Sequence, residues 1–165
     1  MSDASLRLIY IVFIIPTFII LVGGVCTGKS TYAKEFLSEN PDYILIEADE
    51  IFSEYGDSEE SKEKAQNKIK DILLGNFEKG NNIIYDGVNL IKNNRLKYKS
   101  WAKKWSYTVK VVDFGSRNFD LLKQRIEKDN SYKWKEQSMY DDAIYQMPSS
   151  DEGYDEIIIK WKRSC

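Results

Sequence analysis

The sequence predicts an α/β domain, a three-layer α/β/α fold with a parallel sheet and a helical lid. Three observations predict it. Short apolar runs rich in β-branched residues alternate with longer segments whose apolar residues recur at helical spacing. The first full run empties into a glycine-rich loop that opens a helix. No linker or repeat divides the chain, so its 165 residues read as one domain long enough to bury a core without staples.

Residues 18–22 form the first expected strand, and residues 31–39 come next as a helix whose Ala33, Phe36 and Leu37 share one face. Asn40-Pro41-Asp42 stops that helix. A short strand over 43–46 then runs into Glu47-Ala48-Asp49-Glu50, just past a strand's carboxyl end, where open α/β sheets place their ligands. Residues 53–61 read as an acidic surface connection, and 62–79 as a helix burying Ala65, Ile69, Ile72, Leu73 and Phe77. Residues 83–85 make a third strand ending at Asp86-Gly87. The helix expected over 92–105 puts Tyr98, Trp101, Ala102 and Trp105 inward and leaves Lys92, Arg95, Lys97, Lys99, Lys103 and Lys104 elsewhere. A fourth strand over 107–112 leads to Asp113, and Phe119, Leu122 and Ile126 line the next helix. Residues 129–137 carry cations without a clear period, as a mobile lid or an ordinary surface loop does. A short helix over 139–146, a polar turn over 149–153 and an isoleucine-rich strand over 154–161 complete the reading.

Composition narrows the chemistry. Lys plus Arg number 24 and Asp plus Glu 26, a net charge of -2, which gives no global signal for a polyanion partner and leaves a local basic groove open. Histidine is absent, so imidazole-dependent triads and zinc sites are excluded and a general base must be a carboxylate or another group. Two cysteines, Cys26 and Cys165, do not make a disulfide scaffold, and a reducing, cytoplasmic setting is the simpler expectation. Leu8 to Val22 is almost wholly apolar, but Pro16 separates Leu8 to Ile15 from the strand residues 18–22, and those eight residues are too few to cross a bilayer. The division expected is an apolar extension over 1–17, with membrane contact disfavoured, and a domain over 18–165.

Gly23-Gly24-Val25-Cys26-Thr27-Gly28-Lys29-Ser30 satisfies G-x-x-x-x-G-K-[ST], the phosphate-binding P-loop pattern. Glycines allow the tight turn that points backbone N–H groups at phosphate oxygens, Lys29 supplies a charge toward the β/γ-phosphates, and Ser30 can ligate Mg²⁺. The loop residues through Thr31 are the expected ATP contacts. Asp49 is the candidate carboxylate to take the proton from an acceptor hydroxyl; its other reading is the N-cap of a helical turn over 50–54. Asp86 suits the hydration shell of Mg²⁺ or plain strand-end capping, and Asn89 suits fixing the adjoining loop. Arg125, just before the lid, either reaches a transferring phosphate or is a solvated helix arginine, with Lys128, Lys133 and Lys135 either reinforcing it or solvated. The lysines over 92–104 either track a phosphate backbone or form a solvated face. Cys26 reads as a small loop residue.

With these residues in view, the stretch from Phe18 to Met147 resembles the P-loop kinase domain of the polynucleotide 5'-hydroxyl kinases. The resemblance rests on GGVCTGKSTYAKEFLSENP, IEADEIF, IIYDGVN and VVDFGSRNFDLLKQRIEKD. It implies an ATP- and Mg²⁺-dependent phosphotransferase with a four- or five-stranded parallel sheet. Lys29 and Ser30 match the phosphate and magnesium residues, Asp49 the carboxylate activating the acceptor, and Arg125 a lid arginine. The sequence departs from the pattern at Phe52, where the family carries an arginine that reads the phosphate beside the acceptor hydroxyl. A second lid arginine would fall near Asp129, and the run after the third strand is one residue out of step at Asp86-Gly87-Val88-Asn89. Loss of the arginine implies weak dependence on a neighbouring substrate phosphate, and a pocket lined by Phe52 and Tyr55 suits a smaller or nucleoside-like alcohol. The expected activity is transfer of the ATP γ-phosphate to a hydroxyl, with a polynucleotide 5'-end first and a small alcohol second. A nucleotide-controlled module without an alcohol acceptor is the competing class.

Overall fold

A computed structural model describes residues 14–161. Five strands form one sheet in the order β2-β3-β1-β4-β5, every neighbouring pair parallel. The strands are β1 (Thr17–Val22), β2 (Tyr43–Glu47), β3 (Asn82–Asp86), β4 (Thr108–Asp113) and β5 (Glu156–Ile159). Most of the apolar segment before β1 lies outside the described residues, and among the described residues no helix is long and apolar enough to cross a membrane.

The strands bury both faces because alternate residues feed two separate cores. Phe18, Ile20 and Val22 of β1 join Ile83, Tyr85, Val109 and Val111 on one face. Against them pack Ile69, Leu73 and Phe77 from helix α3 (Glu59–Glu78) and Ala102 from α4 (Lys92–Lys103). Ile19 and Leu21 face the other way, with Ile84, Val112 and Phe114, under Ala33, Phe36 and Leu37 of α1 (Lys29–Glu39). Register sets β1 Val22 level with β4 Asp113 and β2 Glu47 level with β3 Asp86, so the strand ends gather at one edge of the sheet.

Several elements differ from expectation. A short helix, α2 (Ala48–Ser53), begins directly after β2, and Glu47 is its N-cap. Asp49 is therefore inside its first turn, and the capping reading of that residue falls. Helix α3 starts at Glu59 because Ser58 accepts the Ser61 N–H and caps it, which shortens the expected acidic connection. The stretch expected to be irregular is helical: α5 (Phe119–Asp129) and α6 (Lys133–Ile144) are joined by three residues, with Asn130 at φ 47 ending α5. Phe119 does not line a core; it is 69% exposed.

Helix α4 carries the largest correction. Arg95, expected outside, is fully buried, and Trp105, expected inside, is 45% exposed. At about 100° per residue, Lys92, Arg95, Lys99 and Lys103 fall within one stripe about 80° wide. That stripe meets the segment after α6. Lys92 pairs with Asp151 at 2.5 Å, Lys103 with Asp155 at 2.6 Å, and Lys99 donates to the carbonyls of Glu152 and Gly153. Arg95 donates twice to Glu152, at 2.7 and 3.2 Å, and its remaining Nη1 donates to the carbonyls of Asn89 and Leu90 at 3.0 and 2.9 Å. Glu152 is also buried, and it accepts from the Tyr154 hydroxyl at 2.7 Å.

Removing one partner of such a pair strands the other charge in the interior. Glu152→Ala is expected to destabilise the domain by ~3–5 kcal/mol, read as a lower urea midpoint with an unchanged slope. Glu152→Gln, which keeps part of the hydrogen bonding, should lose less.

Candidate active site

The glycine-rich loop leaves β1 and is tied on both sides to the turns that leave the neighbouring strands. Gly23 N–H donates to the Val88 carbonyl at 3.0 Å, and Gly24 N–H to the Gly115 carbonyl at 3.1 Å. Val25 N–H donates to the buried Asp141 carboxylate at 2.7 Å. A Cβ on Gly24 would stand 2.2 Å from the Ser116 carbonyl oxygen, so only glycine fits there. Gly28 sits at φ 96, a backbone state that favours glycine and turns the chain into α1. Helix α1 begins at Lys29, and its first i−4 bond is Tyr32 N–H to Gly28 carbonyl at 3.0 Å. The N–H groups of Lys29, Ser30 and Thr31 thus have no partner within the helix, and they stand at its positive end.

A cleft of about 810 Å³ opens over this loop. Val25, Cys26, Thr27, Gly28, Lys29, Ser30 and Thr31 line it, together with Asp49, Phe52, Val88, Arg125, Trp134 and Gln137. Of the loop residues expected at phosphate, Gly23 and Gly24 alone are absent from its wall: they lie buried behind the loop, their N–H groups already used by the scaffold. Cys26 takes φ 55 in the loop, and burial pushes its thiol above the ordinary value, with Arg125 and Lys29 opposing. That is the opposite of what a thiolate nucleophile needs.

Lys29 is buried, and its Nζ donates to the Gly24 carbonyl at 2.8 Å. Desolvation lowers its pKa, while the carboxylates of Asp86, Asp49 and Asp141 pull it back up. Ser30 Oγ donates to Asp86 at 2.6 Å. These are hard oxygen donors placed beside the loop, and Mg²⁺ fits them, since it takes one or two protein oxygens and completes its shell with water and phosphate. Among the described residues no group of three or more His, Cys, Asp or Glu side chains forms a protein-only metal cage. Asn89, at φ 47 and buried, donates to the Leu21 carbonyl at 2.8 Å and so fixes the loop after β3 against β1.

Asp49 opens onto the cleft from the first turn of α2. Burial by its surroundings raises its pKa; Lys29 lowers it in part, and Asp86 and Asp141 add to the rise. Asp49, Phe52 and Val88 also line a second cavity of about 210 Å³. The walls of that cavity include Phe52, Tyr85, Tyr98 and Trp101, with Gln66, Asn94 and Lys97 at polar positions. Tyr55, expected beside Phe52, lines neither space.

Arg125 reaches the cleft wall from α5, where its Nε pairs with Asp129 at 2.9 Å and its guanidinium lies 4.9 Å from the centre of the Trp134 ring. Trp134 Nε1 donates to the same Asp129 at 2.9 Å. The charge reversal at 129 thus holds the arginine and joins α5 to α6. Lys128, Lys133 and Lys135 do not line the cleft; Lys133 lies over the Trp134 ring at 4.5 Å, and Lys135 borders a groove between α5 and α6. Asp141 is the residue that sequence reasoning missed. It lies on α6, far along the chain, and in a polar helix segment nothing separates it from its solvated neighbour Asp142.

Residues 18–144 match the family described as AAA domain. The chain belongs to this P-loop family. Solved structures agree on the fold of this P-loop domain. A chain of the Pnkp1/Rnl/Hen1 RNA repair complex superimposes with a TM-score of 0.68 at 17% identity, over 82% of this chain and 45% of that one. A fungal RNA kinase gives 0.66 at 15% identity, covering 89% and 38%, and a gluconokinase from Sinorhizobium meliloti 1021 gives 0.61 at 12%, covering 87% and 81%. The chain spans only 39% and 45% of the lengths of the two RNA-repair-complex chains it matches. The fold is that of a P-loop domain, one it shares with proteins named as an RNA kinase and a gluconokinase.

The raised Asp49 pKa has a stability consequence. An acid whose folded pKa lies above its unfolded one, near 3.8, makes the folded state less stable at every pH above the folded value; the penalty fades as pH falls and is gone below the unfolded value. Asp49→Asn is therefore expected to raise the thermal midpoint near neutral pH, with the gain shrinking in acid. Scanning calorimetry at a series of pH values checks it, and a lower midpoint for the variant at neutral pH would contradict it.

Proposed function

We propose that this domain is an ATP-dependent phosphotransferase that moves the γ-phosphate to a hydroxyl, with Asp49 as general base. The observation that carries the reading is the position of Asp49. It is shared by the wall of the large cleft over the loop and by the wall of a second, smaller cavity. A module that only bound or hydrolysed nucleotide would have no use for a second cavity meeting the first at a carboxylate.

ATP would lie in the cleft with its phosphates against the N–H groups of the loop and the α1 N-terminus, and Lys29 toward the β/γ-phosphates. Ser30 and Asp86 would hold Mg²⁺, which neutralises charge on the β- and γ-phosphates when bound. An acceptor in the smaller cavity presents its hydroxyl to Asp49, which takes the proton as the oxygen bonds to the γ-phosphorus. The bond from that phosphorus to the bridging oxygen breaks, and ADP leaves. A raised carboxylate pKa suits this role, since a stronger base accepts a hydroxyl proton more readily. Arg125, once exchanged from Asp129 to phosphate, would add positive charge to the transferring group.

The first acceptor is a polynucleotide 5'-hydroxyl, supported by the sequence resemblance and by the folds of the RNA repair and RNA kinase relatives. The size of the second cavity, about 210 Å³, and its lack of arginine favour a small ring-bearing alcohol as the second reading.

Labelled γ-phosphate transfer from Mg-ATP to 5'-hydroxyl DNA and RNA oligonucleotides tests the proposal. Asp49→Ala is expected to slow transfer by about 10²–10⁴-fold while ATP still binds, and Lys29→Ala to abolish it. Because the Asp49 pKa is raised, the acid limb of kcat/KM should fall away above the ordinary carboxylate range, rate rising with pH as the base ionises. ATP binding or hydrolysis indifferent to Asp49→Ala, with no alcohol phosphorylated, would sink the reading.

A further inference from the structure

The smaller cavity has an uneven distribution of charge. Among its lining residues only Asp49 and Lys97 carry a full charge. If Asp49 serves the acceptor hydroxyl, an anionic group on the same acceptor has one cation to meet.

Lys97 differs from the other cations of α4. Lys92, Arg95, Lys99 and Lys103 lie on the stripe that faces residues 151–155, and each has a carboxylate or carbonyl partner there. Lys97 stands roughly 160° away around the helix from the middle of that stripe. It shares its side with Asn94 and Trp101, and all three line the cavity. Its Nζ lies 5.5 Å from the Trp101 ring centre and 5.7 Å from that of Tyr98, and among the described residues it forms no ion pair. A ring face steers an ammonium group but leaves its charge uncancelled, so Lys97 is held in place and still able to pair with an anion.

The surrounding wall suits a flat ring. Tyr85, Tyr98 and Trp101 meet edge to face, with ring centres 5.2 and 5.7 Å apart, and form a continuous aromatic surface. About 210 Å³ is room for one ring and its arm and too little for a run of nucleotides.

We infer that Lys97 is the specificity-determining residue for the acceptor, which is a ring-bearing alcohol carrying an anion within reach of this lysine. The inference rests on the phosphotransfer reading. The same chemistry is offered by the 5'-terminal unit of a strand, with its first internucleotide phosphate, and by a free molecule of that size. Phe52 removes a cation from one side of the cavity, and Lys97 supplies one from α4. Dependence on a neighbouring phosphate is then kept, contrary to the expectation drawn from position 52 alone.

The test compares a nucleoside, its 3'-phosphate and a 5'-hydroxyl oligonucleotide as acceptors for wild type, Lys97→Ala and Lys97→Arg. Transfer is read as kcat/KM, and binding of the 3'-phosphate by calorimetry in the presence of a non-hydrolysable ATP analogue. Wild type is expected to prefer the 3'-phosphate over the nucleoside. In Lys97→Ala that preference ratio should fall about 10- to 100-fold, mainly through KM, the size expected when a charge-assisted contact is lost. Lys97→Arg should restore most of it. A further requirement for the oligonucleotide would assign the strand as source, and refusal of the oligonucleotide beside good use of the 3'-phosphate would assign the free molecule. Transfer with a ratio unchanged in Lys97→Ala overturns the inference and leaves the kinase reading standing. Lys97-dependent binding without transfer to any of the three supports the anion site and overturns the kinase reading for these acceptors. Neither binding nor transfer overturns the inference.

Discussion

Backbone N–H groups can serve as an anion site only if the chain that carries them is already held in the right shape, and the scaffold here exists to hold it. The first three residues of the loop give their own N–H groups away: Gly23 to the loop after β3, Gly24 to the turn after β4, and Val25 to Asp141 on α6. What remains for a ligand is the arc from Cys26 to Thr31, closed by the start of α1. Asp113, fully buried, secures the β4 side. It accepts from Gly115 N–H, the Tyr145 hydroxyl and Trp161 Nε1, tying the turn, the residue after α6 and the segment after β5 to one carboxylate. Preorganisation of this kind is where electrostatic catalysis gets most of its effect, because the dipoles need not reorganise during the reaction.

The same tethers set how the helix pair α5 and α6 is held against the loop. Through Asp141 the carboxyl-terminal half of α6 is bound to the loop, and Arg117 Nε donates to the Ser138 carbonyl from the β4 side. The other end of α6 is joined to α5 by Arg125, Asp129 and Trp134. On the proposed reading, closure over a nucleotide would mean exchanging the Asp129 partner of Arg125 for phosphate, a local swap of one half-exposed ion pair, which costs little at such exposure. A wholesale swing of an irregular loop, the picture suggested by residues 129–137 in the sequence, has no counterpart in a pair of helices pinned at one end.

The strands, the loop and the order of elements were legible because each rests on local signals: β-branched runs, a glycine pattern, and helical periods with clear stops. That Lys29, Ser30 and Asp49 lie on one cleft was legible for the same reason, each sitting at a fixed offset from a strand end. Asp141 was not, because its partner is 116 residues away and its neighbours look solvated. Helix α4 was misread in part because a single apolar face was sought where there are two working faces. Lys92, Arg95, Lys99 and Lys103 carry a signal of their own, cations spaced three, four and four residues apart, opposite a later segment holding Asp151, Glu152 and Asp155. Periodicity reveals such a stripe; only tertiary contact says that it is buried at Arg95.

That buried pair raises a question stability cannot answer, since an apolar pair of similar volume is often as stable as a buried ion pair. What apolar side chains could not do is hold the carbonyls of Asn89 and Leu90, as Arg95 does with Nη1. Those residues line the smaller cavity. Val88, one position earlier, lines both this cavity and the cleft and accepts from Gly23 N–H, while Asn89 reaches the Leu21 carbonyl at the end of β1. A continuous set of hydrogen bonds thus runs from Glu152 through Arg95 to the strand that carries the phosphate loop, passing along the wall of the smaller cavity. Transfer between two bound partners is sensitive to misplacement on the scale of ~1 Å. Arg95 and Glu152 act on that alignment from outside both cavities, by fixing the distance between the wall that would seat an acceptor and the loop that would hold its donor.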